Sequence, residues 1–201
     1  MTLRSAAAAT LAAMTLAACA TTPGPVEVTR FVASEASDRL GQGSIFVESA
    51  EGMEADSLSA APYKSAVAEE LRRLGYSESE RGSASQIATV SIERYVMTAE
   101  GRRSPVSVGV GGSTGTYGSG VGVGLGINLG GGQRDQVGTQ LAVTIRDAAT
   151  SQNLWEGRAD FRVADNSPLA QSQANAQTVA AALFSEFPGN NGETVEIEVS
   201  E

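Results

Sequence analysis

Three stretches of the sequence alternate apolar and polar residues with a period of two, and nothing else in the chain constrains its fold as strongly. In Gln86–Met97, Ala88, Val90, Ile92 and Val96 share one side, and Thr89, Ser91, Glu93 and Tyr95 share the other. In Thr139–Asp147, Leu141, Val143 and Ile145 fall on one side. In Asn153–Val163, Trp155, Ala159, Phe161 and Val163 oppose Glu156, Arg158, Asp160 and Arg162. Successive side chains of a strand point to opposite faces, so the pattern predicts strands buried on one face and wet on the other. Asp147–Asn153 is turn-forming by composition and joins the second and third stretches into an antiparallel hairpin. Antiparallel sheets tolerate water on one face.

The remaining elements fit around that sheet. Val26–Ala33 reads as a first strand and Ser44–Glu48 as a short second one, with Gly41 and Gly43 marking a turn between them. Ala61–Leu74 reads as a helix: Tyr63, Val67, Leu71 and Leu74 recur at helical spacing, Pro62 sits where a missing N–H does no harm, and Gly75 follows as a C-cap. Ser167-Pro168 is expected to open a second helix, with Ala176, Val179, Ala180, Leu183 and Phe187 on its apolar side and Pro188-Gly189 as its stop. Val195, Ile197 and Val199 alternate with Glu196 and Glu198, which fits either a last strand or an acidic tail. The expected fold class is therefore α+β: a two-layer sandwich with a mostly antiparallel sheet of about four to six strands, two helices on one face, and a glycine-rich hairpin insertion.

That insertion, 105–132, has its own composition. Val108 and Val110 alternate with glycine, and Val121, Val123, Leu125, Ile127 and Leu129 alternate with Gly122, Gly124, Gly126 and Asn128. Read as strands, it is a long hairpin with one aliphatic face and one bare glycine face, prolonging the connection between the first two alternating stretches. Read otherwise, it is a flexible loop, because glycine costs more backbone entropy on ordering than any other residue. An ordered aliphatic face needs a partner: the domain itself, a second copy, another protein or lipid.

The N-terminus predicts an address. Arg4 is followed by an apolar stretch from Ala6 to Leu16, too short and alanine-rich to span a bilayer and built like a signal peptide. It ends in Leu16-Ala17-Ala18-Cys19, which resembles the lipobox of bacterial lipoproteins. The resemblance implies cleavage before Cys19 and lipid on its thiol. The chain's one cysteine falls where lipidation needs it. Residues 1–18 are then a signal peptide, 19–25 a lipidated tether, and 26–201 a single domain. Ala20 rather than aspartate follows the cysteine, which in Gram-negative lipoproteins implies the outer membrane, with the domain facing the periplasm.

Composition excludes much chemistry. The chain has no histidine, which removes the commonest general base and metal ligand. A single cysteine allows no intrachain disulfide, and a net charge of -9 disfavours nucleic acid. Gly111-Gly112-Ser113-Thr114-Gly115 spells the nucleophile elbow of serine hydrolases but has no histidine to serve it. Carboxylate pairs such as Glu69-Glu70 and Glu51 with Glu54 read as solvated charge, and Glu196, Glu198 and Glu201 match no calcium loop. No catalytic residue, metal site or cofactor is expected.

Several segments together resemble a known family: Pro62-Tyr63-Lys64 leading into Val67-Ala68-Glu69-Glu70-Leu71 and Gly75-Tyr76; the strand Ile87–Ile92; Leu141-Ala142-Val143-Thr144-Ile145-Arg146-Asp147; Leu154-Trp155-Glu156-Gly157; and a late helix ending in Phe187-Pro188. They are similar to the domain-of-unknown-function family 4136, whose members are mostly bacterial lipoproteins. The resemblance implies an α/β domain held at a membrane and transfers no catalytic residues. The expectation is a non-enzymatic envelope lipoprotein, a binding or structural module anchored through Cys19. It would meet a protein partner or a second copy through the insertion. The alternative is a carboxylate-dependent enzyme acting on envelope polymers.

Overall fold

A computed structural model describes residues 23–51, 59–98, 103–105 and 135–199. The three alternating stretches form the centre of the molecule. They are the twelve-residue strands β4 (Gln86–Met97), β6 (Gln136–Asp147) and β7 (Asn153–Ala164). Around them lie β1 (Val26–Val32), β2 (Ser44–Ser49), β3 (Ser77–Glu78), β5 (Arg103–Pro105) and β8 (Glu193–Ile197). The sheet runs β3-β2-β4-β6-β7-β1-β8, and β5 pairs with the far end of β4. All pairings are antiparallel except β2 with β3 and with β4.

The fold is α+β with a mostly antiparallel sheet, but the sheet has eight strands, more than the four to six expected. Two of the additions are two and three residues long, too short to leave any alternation to read. The third is β8, where Val195 and Ile197 pack against the core as a strand rather than fraying as a tail.

Helix α1 (Ala61–Arg73) buries Tyr63, Ala66, Val67 and Leu71, one stripe of a 3.6-residue repeat. The second helix starts later than expected. Ser167 does cap a turn, accepting from the Leu169 N–H, but that turn is a single 3-10 turn over Pro168–Ala170. Gln171 is then extended, and α2 runs from Ser172 to Phe184. Phe187 lies beyond the helix and returns to the core with Trp155 and Phe184, the ring centroids 5.2 and 5.9 Å away.

One hydrophobic cluster joins the buried parity of the strands to the buried sides of both helices. Fully burying each large aliphatic or aromatic side chain contributes about 1.5–3 kcal/mol. Polar residues also occupy this parity. Arg30, 2% exposed, donates to the carbonyls of Leu183 and Ala182 and to the Ser185 hydroxyl, satisfying the C-terminal end of α2. Burial pulls its guanidinium below the usual arginine range, with Glu186 and Glu193 opposing. Arg94 ties β4 to the start of α2 through Ser172 Oγ and the Ala170 carbonyl.

Candidate functional site

The opposite parity of the sheet carries the polar side chains. Register decides which of them meet. Glu93 pairs with Gln140, Gln140 with Asp160, Asp160 with Glu27, and Glu27 with Glu196. Directly paired residues share a face, so these five form one row across β4, β6, β7, β1 and β8. The adjacent row is Ser91, Ala142, Arg158 and Thr29. Ser91, Ala142 and Thr29 are short, and the longer Glu93, Gln140 and Arg158 stand beside them. The result is a shallow groove of about 350 Å³ lined by Glu27, Thr29, Ser91, Glu93, Gln140 and Arg158, among others.

Charge on this face is partly neutralised from within. Asp160 accepts from Gln140 Nε2 at 2.8 Å and pairs with Arg162 at 2.9 Å. Arg158 donates twice to Glu156, and Glu48 holds both Arg146 and Arg81. Glu27, Glu93 and Glu196 make no ion pair with other described residues. Arg162 also donates to the Tyr95 hydroxyl at 3.3 Å. That bond pushes its guanidinium upward, with burial opposing and Asp160 and Glu27 assisting. The Tyr95 ring lies over Gly138, its directly paired neighbour. Phe31, 44% exposed, is the one large apolar side chain among the described residues left in solvent, and it lies on this face beside Glu156.

The other expected carboxylate groups do not converge. Glu69 and Glu70 both pair with Arg73 on the outside of α1, and burial raises the Glu70 carboxyl with Arg73 opposing. Glu54 and Glu201 lie outside the described residues, as do Cys19, the elbow-like Gly111–Gly115, and the aliphatic residues Val108, Val110, Val121, Val123, Leu125, Ile127 and Leu129. Among the described residues no group of three acidic, histidine or cysteine side chains is placed to hold a metal ion. No helix among them is long and apolar enough to cross a membrane.

Sequence reasoning placed Glu93, Arg158 and Asp160 on the wet face without bringing them together, and it did not single out Glu27 or Gln140. Alternation gives each residue its face, but only strand order and register place it in a row.

The sequence pattern of the domain of unknown function DUF4136 matches residues 33–189. No curated protein matches the chain. Among solved structures the chain is similar to PelC from Paraburkholderia phytofirmans, described as a dodecamer. The TM-score is 0.46 and the identity 11%, over 83% of this chain and 99% of that one. It is also similar to a PDZ domain protein from Parabacteroides distasonis, with a TM-score of 0.47 and 10% identity, covering 87% of this chain but 39% of the other.

Proposed function

The chain belongs to the DUF4136 family, and from that premise we propose that it is a lipid-anchored protein of the bacterial cell envelope, a non-enzymatic module that presents the polar face of its sheet to a partner. In this reading Cys19 carries the lipid, the anchor is in the outer membrane, and the domain faces the periplasm. The two helices make one layer of a two-layer sandwich and the sheet the other, leaving the sheet's second face for binding. The glycine-rich insertion is a hairpin whose aliphatic residues, Val121 to Leu129 with Val108 and Val110, supply further contact to a protein or a second copy.

The groove is the observation that carries the binding role. A sheet surface recessed at its middle, floored by Ser91, Ala142 and Thr29 and walled by Glu93 and Arg158, offers hydrogen-bonding groups in a fixed pattern on rigid strands. A second reading, an enzyme working through carboxylates on envelope polymers, draws on Glu27, Glu93 and Asp160 lining that same groove. Against it stands their setting. None of the three is buried, and Asp160 is already engaged by Gln140 and Arg162.

One experiment in cells tests both parts of the proposal. The protein is labelled with palmitate and carries a photoreactive residue in place of Gln140, which lines the groove. Label should enter the wild-type chain and be absent from Cys19→Ser, and irradiation should give a discrete adduct that the same probe at exposed Arg72 does not give. Label surviving in Cys19→Ser refutes the anchor; indistinguishable adducts from the two positions refute the binding face.

A further inference from the structure

We propose that the end of the sheet where β1 begins is apposed to the lipid bilayer, so that the strands stand end-on to the membrane with the turns at 147–153 and 189–192 pointing away. The inference rests on the lipidation of Cys19 proposed above and adds an orientation to it.

Pairing fixes which ends lie together. The start of β1 lies beside the end of β8, through Val26 and Ile197, and beside the end of β7, through Glu27 and Asp160. The end of β7 meets the start of β6, through Ala164 and Gln136, and the start of β6 meets the end of β4, through Gln136 and Met97. The Asp165 N–H donates to the Asp135 carbonyl at the same end. The long connection from β5 to β6 therefore leaves and returns within a few residues of the point where the N-terminal segment joins the body. Arg103 pairs with Met97 and Pro105 with Tyr95, which puts the departing strand at this end as well.

The link to the anchor is short. Pro23 is already buried, and Gly24 packs near the Arg162 carbonyl, so the chain belongs to the body from Pro23 onward. Only residues 20–22 separate it from Cys19, and the four Cα-to-Cα steps from Cys19 to Pro23 span at most about 14 Å. The central strands are far longer. Twelve residues at roughly 3.4 Å each make about 40 Å, so the turn after β6 sits that much farther from the tether's origin. A tether shorter than the body, attached at one end of it, holds that end against the surface.

Energy transfer to a lipid surface tests this directly. Lipidated full-length protein uses up its only cysteine at the anchor, so a single introduced thiol takes a donor dye. Asn166→Cys reports the proximal end and Ala149→Cys the distal turn, both being exposed positions. In phosphatidylcholine vesicles carrying headgroup-labelled acceptor lipid, transfer from position 166 should exceed that from position 149 by roughly twofold or more, given strands about 40 Å long. Equal transfer, or greater transfer from position 149, overturns the end-on orientation while leaving the anchor in place. A separate flotation assay reads the anchor: wild-type protein that fails to float with the vesicles, or Cys19→Ser protein that floats equally well, overturns the lipidation reading and the orientation with it.

Discussion

Each face of the sheet holds one aromatic ring against a glycine, and the two arrangements differ in what stands behind the ring. On the helix-covered face, Trp155 lies over Gly157 two residues along its own strand. Phe184 is stacked on it at 5.4 Å, Phe187 is tilted against it at 5.2 Å, and its Nε1 donates to the Pro188 carbonyl. On the polar face, Tyr95 lies over Gly138 across the strand pair, and its hydroxyl accepts from Arg162. The first ring is held between sheet and helix. The second has no helix over it among the described residues. Both rings are buried, Trp155 1% and Tyr95 2% exposed, so what differs between the faces is the helix and the Phe184–Phe187 cluster that stand behind the first ring.

The largest effect should come from filling the space under the tryptophan. A methyl group at Gly157 would sit 2.2 Å from Trp155 Cη2 and 2.8 Å from Leu183 Cδ1. Neither atom can yield without displacing the Phe184–Phe187 cluster or α2, which puts the cost toward the upper end of the about 1–3 kcal/mol typical of overpacking. Gly157→Ala should lower the denaturant midpoint accordingly. A midpoint unchanged from wild type would mean that the covered face is loosely packed and that the contrast between the faces is false.

Gly138→Ala presents a similar clash, 2.2 Å from Tyr95 Cζ, yet should cost only about 1 kcal/mol, because no helix among the described residues stands behind the ring, which can shift at the expense of its bond to Arg162. Equilibrium unfolding of the two variants side by side sharpens the comparison. A Gly138→Ala loss as large as that of Gly157→Ala would show Tyr95 to be wedged as tightly as Trp155, and the polar face would then be a second packed layer.

How much of this was legible in the sequence follows the same division. The parity of the long strands was legible, because half-burial writes itself as alternation: Val90, Val143 and Phe161 lie inward, and Thr89, Thr144 and Arg162 lie outward. Helix α1 was legible from its stripe and flanking residues. The start of α2 was not, because a serine–proline pair opens a 3-10 turn as readily as an α-helix, and Gln171 breaks the two apart. The groove was not legible because it arises from register, and a row such as Glu93, Gln140, Asp160, Glu27 and Glu196 is scattered over the chain until the strands are ordered. Least legible were polar residues at inward positions. Arg30, Arg94 and Thr139 break the alternation, and only the helix ends they meet explain the first two.

Thr139 is the exception among those three, and it carries the smallest predicted effect. It neighbours Gly138 in sequence but faces the covered side, where it is fully buried and its Oγ1 makes no hydrogen bond, as is also true of the nearby Arg94 Nε. The closest candidate partner is the Tyr63 hydroxyl, which already donates to Asn175 Oδ1 at 2.8 Å while Asn175 donates to the Leu169 carbonyl. Burial raises the Tyr63 phenol above its ordinary range, with Arg94 and then the Thr139 hydroxyl opposing, so the two hydroxyls lie near each other without closing a well-formed bond. A buried hydroxyl that forms no bond has lost its water and gained nothing in return. Thr139→Val keeps the branched shape and removes that hydroxyl, so it should leave stability within about 0.5 kcal/mol of wild type or raise it slightly. A loss near 1 kcal/mol would instead mean that the hydroxyl does bond Tyr63 in solution. The covered face would then owe part of its rigidity to a polar network reaching from α1 through β6 to α2.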